Sequence, residues 1–317
     1  MIEKKAFGKV NLGLDIIGQR EDGYHLVRMI MQSVDIFDIL TFEIIPSKSP
    51  DEQTDDNKTG IDEQADKRET ERKKPEIIIT ATNDPTLSLG EDNLIYKACR
   101  VLLDRFGIRE GVKVTLTKNI PIAAGMAGGS SDCAAALKGV NELFDLGLSE
   151  EELRDIGVTL GADVPYCIMG GTALSEGIGE KLTRLPDIPE VVFLIAKPEF
   201  GISTKEAYGA FDSIPSAEVI HPDIDGMTEA VKAGDISGIT KRLGNVLEQA
   251  SIPSHPSIEE IKNLMKENGA ENALMSGSGP TVFGIFKDSE TSWKALDVLR
   301  ESGLASELFV AGIAKKG

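Results

Sequence analysis

The feature that most constrains this chain is the run over residues 118–137, Lys-Asn-Ile-Pro-Ile-Ala-Ala-Gly-Met-Ala-Gly-Gly-Ser-Ser-Asp-Cys-Ala-Ala-Ala-Leu. It reads as a strand end, a turn of small residues and a helix start. Upstream, Val112, Val114 and Leu116 alternate along a β-branched stretch, and Pro121 stops a ladder from continuing. Gly125, Gly128 and Gly129 permit backbone angles that other residues resist. Ser130, Ser131 and Asp132 then offer N-cap oxygens ahead of an alanine run. A glycine-lined turn emptying into a helix N-terminus is an anion site, because its N–H groups point outward and the helix dipole favours negative charge. A turn that merely packs a helix on a sheet has the same glycines. Two serines at the cap, placed to reach phosphate or a metal, favour phosphate. Neither the Walker spacing nor Gly-x-Gly-x-x-Gly is present.

A chain of 317 residues suggests about two domains. Its apolar content of 41% is that of a globular protein, and no apolar run approaches the roughly 20 residues that span a bilayer. The N-terminal Met-Ile-Glu-Lys-Lys lacks a signal-peptide core, so the expected location is the cytoplasm. Cys99, Cys133 and Cys167 fit neither a zinc pattern nor a disulfide framework and are expected in the core. A net charge of -18 argues against nucleic acid or anionic membrane as partner. A phosphorylated ligand must then be met locally, by backbone N–H groups, a few placed cations and a divalent ion.

Residues 6–17 alternate Val10, Leu12 and Leu14 against a face carrying Lys9, Asn11 and Gly13, the pattern of a strand with one solvated face. Asp22-Gly23 closes a polar loop, and Tyr24-His25 beyond it either stacks on a flat ring or staples the loop to the core. Residues 29–42 continue as strand. Residues 46–75 carry charges of both signs and almost nothing apolar, so they read as an insertion that burial cannot order. Residues 92–106 form an amphipathic helix with an N-cap signal at Asp92-Asn93, and a capping box opens another helix at Ser149-Glu150-Glu151-Glu152. Asp163, among Gly161, Ala162, Val164 and Pro165, is either a buried carboxylate with a task or a turn and N-cap residue. The second half mixes helix and strand signals and contains another glycine-serine turn at Gly277-Ser278-Gly279, so the expected class is α+β.

Lys9-Val-Asn11-Leu, residues 121–131 followed by Asp132, and Gly277-Ser-Gly279, in this order, resemble the three signature motifs of the GHMP kinases. Gly161-Ala-Asp163-Val-Pro165, Asp22-Gly23-Tyr24-His25, Ser175-Glu-Gly-Ile-Gly179 and Ser203-Thr204 extend the resemblance to the branch acting on 4-diphosphocytidyl-2-C-methyl-D-erythritol, in non-mevalonate isoprenoid biosynthesis. The resemblance implies an N-terminal nucleotide-binding domain, residues 1–168 with the insertion, and a smaller C-terminal α/β sandwich, residues 169–317. It implies an enzyme that uses ATP and Mg²⁺ to phosphorylate the 2-hydroxyl of this cytidine diphosphate methylerythritol, as a monomer or weak homodimer. Asp163 matches the base and Lys9 its partner. Pro121, Ile122, Ala123, Ala124, Gly125, Met126, Ala127, Gly128, Gly129, Ser130 and Ser131 match the wrap around the triphosphate, with Ser131 near Mg²⁺ and Asn93 by the adenine. Tyr24 and Tyr208 match an aromatic pair around cytosine, His25 the reader of its edge, and Asn11 and Thr204 contacts to the erythritol and base. Met126-Ala127 departs from the usual Leu-Gly, Met31 from a frequent aromatic, and the 46–75 stretch is longer than usual.

Overall fold

A computed structural model describes residues 1–47, 74–81, 83 and 87–315; most of the 46–75 stretch lies outside the described residues. Two long strands begin the chain, β1 (Ile2–Gln19) and β2 (His25–Ile45), paired antiparallel along their length. β3 (Ile77–Ala81), α1 (Leu94–Phe106) and β4 (Gly111–Thr117) follow. The two halves of β2 take different second partners, β4 at Ile39–Ile45 and β5 (Thr172–Gly177) at Val27–Gln32, and β6 (Lys181–Arg184) extends the β5 edge. Between β4 and β5 run α2 (Gly128–Leu143), α3 (Glu150–Gly157) and α4 (Val164–Met169). α1 and α2 cover the first sheet with a core that includes Phe42, Leu102, Leu116 and Leu137.

The predicted local signals are visible. Asn93 caps α1 through its carboxamide oxygen, bonded to the Ile95 N–H at 2.8 Å. Ser149 and Glu152 form the capping box on α3.

The remainder comprises β7 (Val192–Lys197), α5 (Thr204–Phe211), α6 (Ile224–Ala233), α7 (Ile236–Lys241), β8 (Gly244–Asn245), α8 (Glu248–Ser254), α9 (Ser257–Glu267), β9 (Asn272–Met275), β10 (Val282–Phe286), α10 (Ser289–Ser302) and β11 (Glu307–Ala311). β11, β7, β10 and β9 form a second, antiparallel sheet in that order, on which α9 and α10 pack. The α+β class is what the chain adopts. The expected division at 168/169 falls ahead of β5 and β6, which pair into the first sheet, so the strands change sheet between Arg184 and Val192. β8 then returns to pair in parallel with β1 at Gly13 and Leu14. Two of the buried clusters mix residues from both halves, such as Leu14 and Tyr166 with Phe286, and Val10 and Leu12 with Phe283. Cys99 and Cys133 are buried, Cys167 is partly so, and all three are free thiols.

Candidate active site

A cavity of about 870 Å³ opens where the first sheet, α2, α5 and the Gly277 turn converge. The register of β1 against β2 shifts between Phe7 and Lys9 and again between Asn11 and Gly13, and such irregularities re-aim side chains. Lys9 and Asn11 lie between the shifts and are 4% and 0% exposed, so the strand face expected to be solvated is enclosed. The Lys9 ammonium donates to the Asn11 carboxamide oxygen at 2.7 Å and to the Gly125 carbonyl at 2.9 Å. It stands 3.7 Å from Oδ2 of Asp163. Asp163 occupies the N-cap position of α4 without capping it and keeps 31% of its side chain exposed toward the cavity it lines. An ammonium held by two neutral acceptors is thereby fixed beside an accessible carboxylate.

The glycine stretch folds differently from the expected cap. α2 starts at Gly128, five residues ahead of Cys133, and its N-cap is Ala127 in the left-handed region, φ 56°, with no side-chain cap bond. Its ladder opens with the Ser131 N–H on the Ala127 carbonyl at 2.8 Å, which leaves the N–H groups of Gly128, Gly129 and Ser130 ahead of the ladder. Ser130, Ser131 and Asp132 are not caps because they lie inside α2, and distant groups hold two of them. The Ser131 hydroxyl donates to the Phe7 carbonyl at 2.6 Å, and Asp132 accepts from the Lys118 ammonium at 2.8 Å. Lys118 also pairs with Asp38, whose carboxylate accepts the N–H groups of Asn119 and Ile120. Burial opposes the Lys118 charge, but the attraction of Asp132 and Asp38 outweighs it and raises its pKa. Burial raises the Asp132 carboxyl, which lines the cavity and keeps one oxygen, Oδ1, without a hydrogen-bond partner.

The two glycine-serine turns meet. Gly125 has φ 69°, and a Cβ there would lie 2.1 Å from the Ser276 carbonyl. Ser276 donates its hydroxyl to the Gly125 carbonyl at 3.1 Å. Asn245, on β8, donates to the Met275 and Gly277 carbonyls at 2.9 and 2.8 Å, so the second turn is tied in its own place.

At the other end, the His25 Nε2 lies 2.6 Å from an oxygen of Asp212, and its ring is 4.9 Å from that of Tyr208. Tyr24 lines the same end and is 61% exposed, and Tyr208, the other ring expected around the cytosine, lines the cavity too, in contact with His25. Burial, and after it the charge of Asp163, raise the pKa of Tyr208, which keeps its hydroxyl as a donor. The Thr204 hydroxyl sits 3.5 Å from that of Ser278.

Lys9, Asn11, Tyr24, His25, Asn93, Asp163, Thr204, Tyr208 and the run from Pro121 to Ser130 therefore line one cavity. Ser131 does not; it lines a smaller neighbouring hollow. Asn93 contributes with its carboxamide engaged by Ile95 N–H and the Ser88 carbonyl. Sequence reasoning gave Lys118 no role, read Asp132 as an N-cap oxygen, and took Ser278 only as part of the second glycine-serine turn. Lys118 and Asp132 stand at either end of the glycine stretch, and that flanking pair of opposite charges was the available signal.

The description "GHMP kinases N terminal domain" matches residues 93–171, and "GHMP kinases C terminal" matches 227–305. A 4-diphosphocytidyl-2-C-methyl-D-erythritol kinase of Lachnospira eligens is 47% identical, covering 97% of this chain and 96% of its own. One from Caldicellulosiruptor bescii is 42% identical, with 93% of each chain covered. A crystal structure of 4-(cytidine 5'-diphospho)-2C-methyl-D-erythritol kinase superposes with TM-score 0.76 at 27% identity, over 99% of this chain and 100% of that one. A mevalonate kinase of L. major, 15% identical with TM-score 0.73 over 100% and 97% of the two chains, shares the fold.

Proposed function

This chain belongs to the GHMP kinases, in the 4-diphosphocytidyl-2-C-methyl-D-erythritol kinase family, and from that premise we propose that it transfers the γ-phosphoryl group of ATP to the 2-hydroxyl of 4-diphosphocytidyl-2-C-methyl-D-erythritol, giving the 2-phosphate and ADP. The observation that carries the chemistry is the Lys9 ammonium fixed 3.7 Å from Asp163 where the glycine turn meets the aromatic end. Phosphoryl transfer is mainly positioning and charge stabilisation. Asp163 receives the hydroxyl proton and aims the oxygen at phosphorus. Lys9 holds the Asp163 carboxylate and adds positive charge beside the transferred group, while Asn11 and the Gly125 carbonyl hold Lys9.

The turn fits a triphosphate. At Gly125 a side chain would run into the Ser276 carbonyl and at Gly128 it would crowd Lys118 and Ile120, and the N–H groups ahead of the α2 ladder supply donors without adding side-chain charge. Among the described residues no cluster of three His, Cys, Asp or Glu side chains forms a metal cage. Mg²⁺ needs no such cage, since one or two side chains and substrate phosphates suffice. Ser130 and Asp132, with its unpartnered Oδ1, are the oxygen-bearing side chains of that turn that line the cleft, and they would hold it. Ser131 would first have to leave the Phe7 carbonyl. When bound, the ion would offset the negative charge of the phosphates. Tyr24, His25 and Tyr208 bind the cytosine by ring contact and by the imidazole, whose orientation Asp212 sets.

An ADP-release assay with ATP and Mg²⁺ tests the reading, offering the cytidylated substrate beside mevalonate and homoserine. Turnover on the first alone is expected. Turnover on either of the others would overturn the reading of the aromatic end, and silence on all three with ATP bound would remove the kinase assignment.

A further inference from the structure

The first turn of α2 separates the cleft from a second cavity of about 290 Å³, since Ser130 and Asp132 line one and Ser131 the other. Lys4, Lys5, Lys138, Arg184 and Lys315 line this second cavity against one carboxylate, Glu150, among the described residues. In a chain of net charge -18, that is a local reversal of sign. Some of the cations have partners. Lys4 pairs with Glu142, Arg184 lies 3.4 Å from Glu150, and Lys315 lies 3.5 Å from Glu190 with both side chains more than 80% exposed. Exposed pairs of this kind contribute little. Lys5 sits over the Phe37 ring at 4.0 Å.

Lys138 is different. Its ammonium donates to the Ile168 carbonyl at 2.6 Å, and among the described residues no carboxylate lies within ion-pair distance of it. Burial lowers its pKa, with Glu150 opposing, as expected of a cation taken from water without full compensation. An anion in the cavity would supply the missing charge.

We propose that this cavity is a second anion-binding site, taking a diphosphate or small phosphate ester held by Lys138 and Arg184. Its volume, about 290 Å³, lies at the small end of the roughly 300–1,000 Å³ typical of ligand pockets, a size that suits a phosphate group with a short substituent. Lysine and arginine around a confined hollow are the donors that phosphate oxygens take. The site stands apart from the cleft and does not depend on the reaction proposed there.

Calorimetric titration of the full chain with inorganic diphosphate, alone and with a saturating non-hydrolysable ATP analogue, tests it. The analogue's own isotherm reports separately on the cleft. One diphosphate site is expected to persist with the nucleotide present and to weaken about tenfold in Lys138→Met and in Arg184→Gln, the loss of one charge-assisted contact. Arg184 stands at the rim on a 39% exposed side chain, so its variant carries the test even where Lys138→Met fails to fold. Loss of all diphosphate uptake when the analogue is present, or uptake unchanged in Arg184→Gln and in any folded Lys138→Met, would overturn the proposal.

Discussion

The two ends of the cleft are held in opposite ways. At the glycine end the groups are enclosed and tied to main chain: Lys9 to the Gly125 carbonyl, Ser276 to the same oxygen, Asn245 to the carbonyls of the second turn. At the aromatic end the contacts run between side chains, His25 to Asp212 and Tyr208, while Tyr24 stays 61% exposed. Reacting atoms need fixed geometry, and main-chain ties hold it without rotamer freedom. The flat base proposed for that end needs only a surface that closes on it, so side chains there can wait for the ligand.

That contrast is open to direct attack. Asp163→Ala removes the group nearest the fixed ammonium and is expected to lower kcat about 10³-fold while nucleotide affinity stays put; near-normal turnover would take Asp163 out of the base role. Gly125→Ala puts a methyl into the Ser276 carbonyl at a positive φ, which is expected to cost about 3 kcal/mol of stability and to weaken nucleotide binding. Unchanged thermal unfolding in that variant would mean that the two turns are not locked together. Tyr24→Ala is expected to raise KM for the cytidylated substrate about tenfold, the scale of one lost base stack, and to leave KM for ATP alone. Equal effects on both substrates would erase the distinction between the ends. Smallest is Ser131→Ala, expected to lose about 1 kcal/mol of stability from the bond to Phe7 with kcat little altered. A collapse of kcat there would return Ser131 to the metal.

Much of the frame is readable locally, because its signals are local. The Asn93 cap, the Ser149–Glu152 box and the alternation of β4 depend on neighbours within a few residues. The start of α2 is not readable in that way. Ser-Ser-Asp has the composition of a cap, but Ser131 is held by Phe7, 124 residues away, and Asp132 by Lys118 across 14. The same holds inside the site: the residue types at positions 9, 11 and 163 were visible, whereas the enclosure of Lys9 depends on a carbonyl 116 residues distant. The contact of His25 with Tyr208 joins residues 183 positions apart, which local pattern does not encode.

Asn245 has a consequence for engineering. It arrives late in the chain on β8, yet β8 pairs with β1, and its carboxamide pins the turn that locks Gly125. A chimera that exchanged everything after residue 168 with a sister kinase would thus import a foreign edge strand and a foreign latch, against cores that already interleave Leu12 with Phe283 and Tyr166 with Phe286. On the proposed reading, transplanting substrate choice calls for grafting the 20–25 loop and α5 alone, the two pieces that carry Tyr24, His25 and Tyr208 and leave the latch in place.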